Sequence, residues 1–175
     1  SAQTGLRSFY PHDAWVEQDP MEIWSSQSAV LSEVIAKSGI HPRDIEAIAM
    51  TNQRETTILW DKETGRPVYN AIVWQCRRTQ KMIERLKQEG LEPMIQEKTG
   101  LVLDAYFSAS KIAWVLENVE GTKELMKQGR LMFGTVDTWL LYNFTEKTAH
   151  LTDVTNASRT MLFNIESLKW DQSLL

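Results

Sequence analysis

An apolar run that ends in a charged polar turn does most to constrain what this chain can fold into. The run from Ile45 to Met50 has the character of a buried strand, and three polar residues lead from it to Arg54-Glu55. Neighbouring side chains on a regular strand point to opposite faces, so Arg54 and Glu55 can share a ligand only where the backbone is irregular. Because open α/β sheets bind ligands beyond their strand ends, the sequence predicts a central strand over 45–50 with the pair just past it.

The chemistry of the pair favours a small polyol. An arginine donates hydrogen bonds to hydroxyl oxygens, and a glutamate accepts them from hydroxyl hydrogens. Arg54 and Glu55 together can therefore read a molecule that consists largely of hydroxyl groups. The alternative interpretation is an ion pair at a strand end with no ligand.

Helical and strand-like segments alternate along the rest of the chain. Asp19-Pro20 predicts a helix start, with an aspartate cap and a proline in the first turn, and Gly39 predicts its end. The runs 58–60 and 67–69 flank a glycine-containing loop and predict a hairpin. Ser108 is predicted to cap a later helix that runs through Val119. This alternation indicates an α/β fold.

Composition excludes several classes of function. The 175 residues carry a net charge of −4, which argues against binding nucleic acid or an anionic membrane surface. The sequence shows neither an apolar run long enough to span a membrane nor a signal segment at its start. The single cysteine, Cys76, allows no internal disulfide and no cysteine-based zinc site, and it indicates a reducing, cytoplasmic setting. The length suits one domain, or one domain and part of a second.

Five blocks, taken in order along the chain, resemble the glycerol kinase branch of the FGGY carbohydrate kinases. The longest is TNQRETTILWDKETGRPVYNAIVWQCRRT at 51–79, and YFSASKIAWVLEN at 106–118 is similar to the family's signature segment. FGTVDTW at 133–139 and TDVTNASRTMLFN at 152–164 resemble two further family blocks, and 10–24 resembles one nearer the start. The resemblance covers essentially the whole chain.

The resemblance implies a ribonuclease-H-like, actin-type α/β domain, a mixed sheet flanked by helices, that is incomplete. Residues 1–175 would be part of an N-terminal domain, the polyol-binding half, with the C-terminal nucleotide-binding domain absent. Glycerol would be phosphorylated by the whole enzyme and contacted here by Arg54, Glu55, Trp74 and Tyr106. ATP and Mg²⁺ would be the cofactors of the whole enzyme, and neither is expected to bind this chain tightly.

The phosphate-handling parts of the family are not recognisable in these residues. A phosphate-binding turn, a catalytic aspartate and a metal site would lie outside them, so the resemblance implies no catalytic and no metal-binding residue here. The 175 residues alone are therefore expected not to phosphorylate glycerol. An exposed sheet edge left by missing opening strands is expected to favour self-association into a homo-oligomer.

Two other functions stay open at this point. One is a non-catalytic polyol-binding or interaction module, and the other is a kinase for another sugar of the same family, such as a ketopentose. Asp104 and Asp137 are interpreted as a solvated loop carboxylate and a helix first-turn charge rather than as catalysts. Arg77-Arg78 are interpreted as a solvated helix start rather than a phosphate site. The Ser108-x-x-Lys111 spacing, also found in acylating enzymes, is a weak match.

Overall fold

The computed structural model describes all 175 residues. It contains seven α-helices, six short strands and one 3₁₀ turn at Pro42–Asp44. The helices are α1 Pro20–Ser38, α2 Gln80–Gln88, α3 Glu92–Thr99, α4 Ser108–Asn118, α5 Thr122–Lys127, α6 Val136–Phe144 and α7 Val154–Ala157. The strands are β1 Glu17–Gln18, β2 Ile58–Asp61, β3 Ala71–Ile72, β4 Leu131–Gly134, β5 Phe163–Asn164 and β6 Lys169–Trp170. No helix is both long and apolar enough to cross a membrane.

The first helix forms as the sequence predicts. The Asp19 side chain accepts a hydrogen bond from the Met21 amide at 2.8 Å, and Pro20 occupies the first turn. The helix ends at Gly39, whose φ of 68° lies in the left-handed region that glycine adopts without a steric penalty. Local capping chemistry is therefore sufficient to set both ends of α1.

The strands pair as three antiparallel ladders, two of which are connected by an isolated bridge. β1 pairs with β3, β2 with β4 and β5 with β6. Thr57, just before β2, exchanges two hydrogen bonds of 3.0 Å with Ile72 of β3 and so joins the first two ladders. The predicted hairpin is present, with Trp60 bridging to Pro67 rather than facing a full second strand.

Aromatic side chains fill the core between β2, α1 and α6. Trp60 and Trp139 are fully buried with ring centroids 5.2 Å apart, and the Trp139 indole donates to the Pro20 carbonyl at 2.8 Å. Such edge-to-face pairs add to the free energy of burying two large rings. A second part of the core packs α4 against β3, with Ile72, Val73 and Val115 at its centre. Both parts hold β2 and β3 in place beneath the loop that carries Arg54-Glu55.

The strand predicted over Ile45–Met50 does not form. The segment is irregular, and Ile45, Ile48 and Met50 are 37, 56 and 39% exposed. A strand is stable only as a member of a ladder, and no other part of the chain forms backbone hydrogen bonds with residues 46–51. An apolar run therefore indicates only a tendency to form a strand. Whether the strand forms depends on a neighbouring strand that can pair with it. Self-association of this chain stays a prediction.

Candidate functional site

Arg54 and Glu55 lie in a turn immediately before β2. The Thr56 amide donates to the Gln53 carbonyl at 3.1 Å and closes the turn. The backbone is irregular at the pair, as expected for two neighbours that share a site, although no strand precedes it. The two side chains differ in environment: Glu55 is only 3% exposed, whereas Arg54 is exposed and takes part in no hydrogen bond or ion pair.

The Glu55 carboxylate is held by an arginine from far along the sequence. Arg159 Nε donates to Glu55 Oε1 at 2.7 Å, and the glutamate side chain is 4% exposed in this pair. The second oxygen, Oε2, accepts no hydrogen bond of ordinary geometry from the chain, and it is not among the fully enclosed unpaired polar atoms. Glu55 therefore presents one tethered oxygen and one that is available to a hydroxyl donor.

Trp74 and Tyr106 meet beside this carboxylate. Their rings pack edge to face with centroids 5.6 Å apart, and Trp74 is 36% exposed. Burial and then the neighbouring Glu55 carboxylate raise the pKa of Tyr106, so the phenol stays protonated and can donate to an acceptor. The Trp74 amide donates to Thr56 Oγ1 at 3.4 Å, which ties this side of the site to the Glu55 turn. Aromatic faces and a free carboxylate oxygen suit the C–H edges and hydroxyls of a small polyol.

A buried lysine connects two of these residues through their main chains. Lys111 Nζ donates to the Glu55 carbonyl at 2.8 Å and to the Tyr106 carbonyl at 2.6 Å, and the residue is fully buried. Burial lowers the pKa of Lys111 to about 7. The Ser108 hydroxyl, by contrast, has no hydrogen-bond partner. The Ser-x-x-Lys spacing therefore forms no serine–lysine pair here.

The structure brings Glu55, Trp74 and Tyr106 together and leaves Arg54 at the surface of the same turn. Arg159 and Lys111 are the residues that sequence reasoning missed. Both lie inside blocks that resemble the family, but no local pattern connects either of them to Glu55, which is 104 and 56 residues away.

Several interpretations of neighbouring charges need correction. Asp104 is not a solvated carboxylate, because it forms an ion pair with Arg77 at 2.6 Å and accepts from the Tyr106 amide at 2.8 Å. Burial opposes its ionisation, but these hydrogen bonds hold the pKa of Asp104 below its ordinary value. Arg78 is also not solvated: its side chain is fully buried, paired with Glu17 at 2.6 Å and placed 3.9 Å above the Trp15 ring. These groups organise the loops around the site.

Asp137 does lie in the first turn of a helix, as predicted, at the start of α6. It also has a structural role that the sequence does not reveal. Its carboxylate accepts from Asn52 at 2.9 Å and from Thr152 at 2.8 Å, so it fixes the polar turn that leads to Arg54. No three histidine, cysteine, aspartate or glutamate side chains of this chain come together in a way that could hold a metal ion.

The model of the FGGY family of carbohydrate kinases, N-terminal domain, matches residues 1–175. The chain belongs to the FGGY family. It is 61% identical over 175 residues to a glycerol kinase of Fusobacterium nucleatum and 59% identical to one of Paraburkholderia xenovorans. These alignments cover 99 and 100% of the chain but 35% of each relative. The chain thus spans about a third of the length of the curated relatives it matches.

Solved structures confirm the fold class. A crystal structure of Plasmodium falciparum glycerol kinase with ADP superposes with a TM-score of 0.91 at 37% identity, over 98% of this chain and 34% of that one. A xylulose kinase from Lactobacillus acidophilus superposes with a TM-score of 0.83 at 22% identity, over 98% of this chain and 33% of that one, which concerns the fold alone. The chain is therefore a partial ribonuclease-H-like, actin-type α/β domain.

Proposed function

We propose that this chain forms the polyol-binding half of an enzyme that phosphorylates glycerol to sn-glycerol 3-phosphate. The observation that carries the proposal is the nearly buried Glu55 carboxylate, with one oxygen tethered and the other free, beside the Trp74 and Tyr106 rings. Relatives that align over the whole chain at 57–61% identity and bear the name glycerol kinase support it.

The proposed recognition uses four residues of this chain. Glu55 Oε2 would accept a hydrogen bond from one hydroxyl, the Tyr106 phenol would donate to another, and Trp74 would pack against the C–H edge of the ligand. Arg54, exposed on the same turn, would donate to a hydroxyl by rotating its long side chain. Charge-assisted bonds are worth about 1.5–3 kcal/mol each, so two of them supply much of the roughly 9 kcal/mol that about six heavy atoms can yield.

Phosphoryl transfer lies outside what these residues explain. ATP would supply the phosphoryl group, with Mg²⁺ as the expected metal, but this chain contains no cluster of metal-binding side chains. In this proposal other parts of the whole enzyme hold the nucleotide, the metal and the general base, and this chain orients the substrate. The buried free thiol of Cys76 supports a location in the cytoplasm, where thiols stay reduced.

The test is a coupled assay on a polypeptide of the relatives' length that contains this chain. With ATP and Mg²⁺, we expect saturable formation of sn-glycerol 3-phosphate. Xylulose, ribulose and gluconate in the same panel are expected to be poor substrates, and a clear preference for one of them would overturn the choice of glycerol. Binding of glycerol without any turnover would favour the non-catalytic module instead. That the 175 residues alone turn over no glycerol stays a prediction, and the same assay checks it.

A further inference from the structure

We propose that Arg159 is a positioning residue for polyol recognition, which orients the Glu55 carboxylate so that its second oxygen faces the ligand. The inference rests on the proposed function of the site and deepens it. Arg159 Nε donates a hydrogen bond to Oε1 of Glu55 at 2.7 Å, whereas Oε2 accepts no hydrogen bond of ordinary geometry. A single strong, directional bond to one oxygen fixes the plane of the carboxylate and, with it, the direction of the other oxygen.

The backbone around Arg159 is anchored to the site. Its amide donates to the Asn156 carbonyl at 3.0 Å in the turn after α7, and the next carbonyl, of Thr160, accepts from the Ala109 amide at 2.9 Å near the start of α4. Met161 follows with a φ of 62°, a left-handed conformation that is uncommon for a residue other than glycine. The surrounding packing thus holds a costly backbone geometry at this segment.

The guanidinium group also contacts the aromatic wall of the site. Its central carbon lies 5.0 Å from the centroid of the Phe107 ring and 6.0 Å from that of Tyr106. A planar cation over an aromatic face gains electrostatic attraction and loses some freedom of rotation. Arg159 therefore links Glu55 with Tyr106, two of the residues proposed to contact the polyol, while its own side chain stays 28% exposed.

If Arg159 only stabilised the fold, a different hydrogen-bond arrangement with Glu55 would be expected. Arginine–carboxylate pairs that only stabilise a fold gain most when both oxygens are used, as two parallel hydrogen bonds. Here Arg159 makes one direct hydrogen bond to Glu55, from Nε to Oε1, and the Tyr106 hydroxyl lies near both side chains. An incomplete pair beside an open aromatic surface indicates that the missing partner is a ligand.

Steady-state kinetics of the polypeptide of the relatives' length test the proposal. We expect Arg159→Met to raise the KM for glycerol about tenfold or more with little change in the KM for ATP, and Arg159→Lys to recover part of the loss because it restores the charge without the planar fork. In a Glu55→Gln background, Arg159→Met should change the KM for glycerol by less than about twofold, since the residue acts through Glu55.

Arg130 offers a matched control. Its side chain is also 28% exposed and also pairs with a carboxylate at 2.7 Å, that of Asp61 at the other end of β2. Arg130→Met is expected to lower the melting temperature and leave the KM for glycerol unchanged. If Arg159→Met behaves in the same way, or if its full effect persists without Glu55, the proposal is wrong.

A second readout separates this inference from the proposed function. With carboxyl-¹³C glutamate in the same polypeptide, the Glu55 signal is identified by its loss in Glu55→Gln. It should move in Arg159→Met and stay in place in Arg130→Met, whatever the substrate. An enzyme that ignores glycerol would overturn the proposed function alone, whereas an unmoved Glu55 signal in Arg159→Met would overturn the positioning role.

Discussion

Each end of β2 carries an arginine–carboxylate pair, and the two pairs differ in how completely they are satisfied. At the far end, Arg130 reaches both oxygens of Asp61, at 3.1 and 2.7 Å. The Glu63 amide and the Thr64 hydroxyl add two more hydrogen bonds to the same carboxylate, at 3.1 and 3.0 Å. At the near end, Glu55 has one hydrogen bond of ordinary geometry, from Arg159.

The contrast distinguishes a fully hydrogen-bonded carboxylate from one that has a single hydrogen bond. Hydrogen bonding from Arg130 is the main cause that lowers the pKa of Asp61 to about 2, and the saturated carboxylate closes the turn of the hairpin. The Glu55 side chain is as well buried, and only one of its oxygens accepts a hydrogen bond of ordinary geometry. Because buried polar groups are normally paired, the second oxygen, near the packed Trp74 and Tyr106 rings, is our proposed place for a ligand hydroxyl.

The largest kinetic effect is expected from removing the carboxylate charge of Glu55, with the matching change at the other end of β2 as the comparison. Glu55→Gln is expected to reduce kcat/KM for glycerol about ten- to a hundredfold, because one charge-assisted hydrogen bond is lost. The KM for ATP should change much less, since the proposed partners of the carboxylate are hydroxyls rather than phosphate. Asp61→Asn, the matched change, should leave both constants as they are. Equal kinetic losses in the two variants would contradict the proposed difference between the two pairs.

The free energy of unfolding should depend on pH because of Lys111, which supports the main chain at the Glu55 end of β2. Lys111 holds the Glu55 carbonyl and has a pKa of about 7, below the ordinary 10.5. Between these values the unfolded chain binds more protons than the folded one, so stability should rise with pH and level off outside that window. From pH 7 to 9 the rise is about 2 kcal/mol in the free energy of unfolding.

Urea unfolding at several pH values, of the wild type and of Lys111→Met, checks this support. Methionine keeps much of the volume but cannot titrate, so the variant should lack the rise that the wild type shows. Thr64→Val, which disturbs only the far end of β2, should keep it. A parallel pH dependence in the wild type and Lys111→Met would mean that another group titrates.

A smaller effect is expected from the phenol of Tyr106. Tyr106→Phe keeps the ring that packs against Trp74 and removes one neutral hydrogen bond, so the KM for glycerol should rise by roughly three- to tenfold. Tyr69→Phe serves as the control, because the Tyr69 hydroxyl donates to Glu17 at 2.8 Å within a structural network. That variant should lose stability without a change in glycerol kinetics.

The smallest effect is expected in the stability at acidic pH, and it arises from Asp61 at the far end of β2. Because the pKa of Asp61 in the folded chain is about 2 and its ordinary value is 3.8, its contribution to stability is complete above about pH 4 and disappears as the pH falls towards 2. The difference in melting temperature between the wild type and Asp61→Asn should therefore shrink over that interval. A difference that stays constant down to pH 2 would show that the carboxylate charge is not what stabilises the turn.

Local chemistry allowed much of the fold to be read from the sequence. The cap at Asp19, the proline beside it and the glycine at 39 act on adjacent backbone groups, so α1 was predicted correctly. The α/β class followed from alternating patterns and from long blocks that resemble one family, and the comparisons confirmed both. Glu55, Trp74 and Tyr106 were proposed from the same blocks, and their roles stay predictions.

Tertiary structure alone decided the rest, because the decisive partners lie far apart in sequence. Ile45–Met50 has the composition of a strand, but only a neighbouring strand could have made it one. Arg78 reads as a solvated helix start and is buried between Trp15 and Trp114. Most of all, the tether from Arg159 to Glu55 and the tie from Lys111 to two carbonyls form only when the folded chain brings α4 and the segment after α7 against the turn before β2.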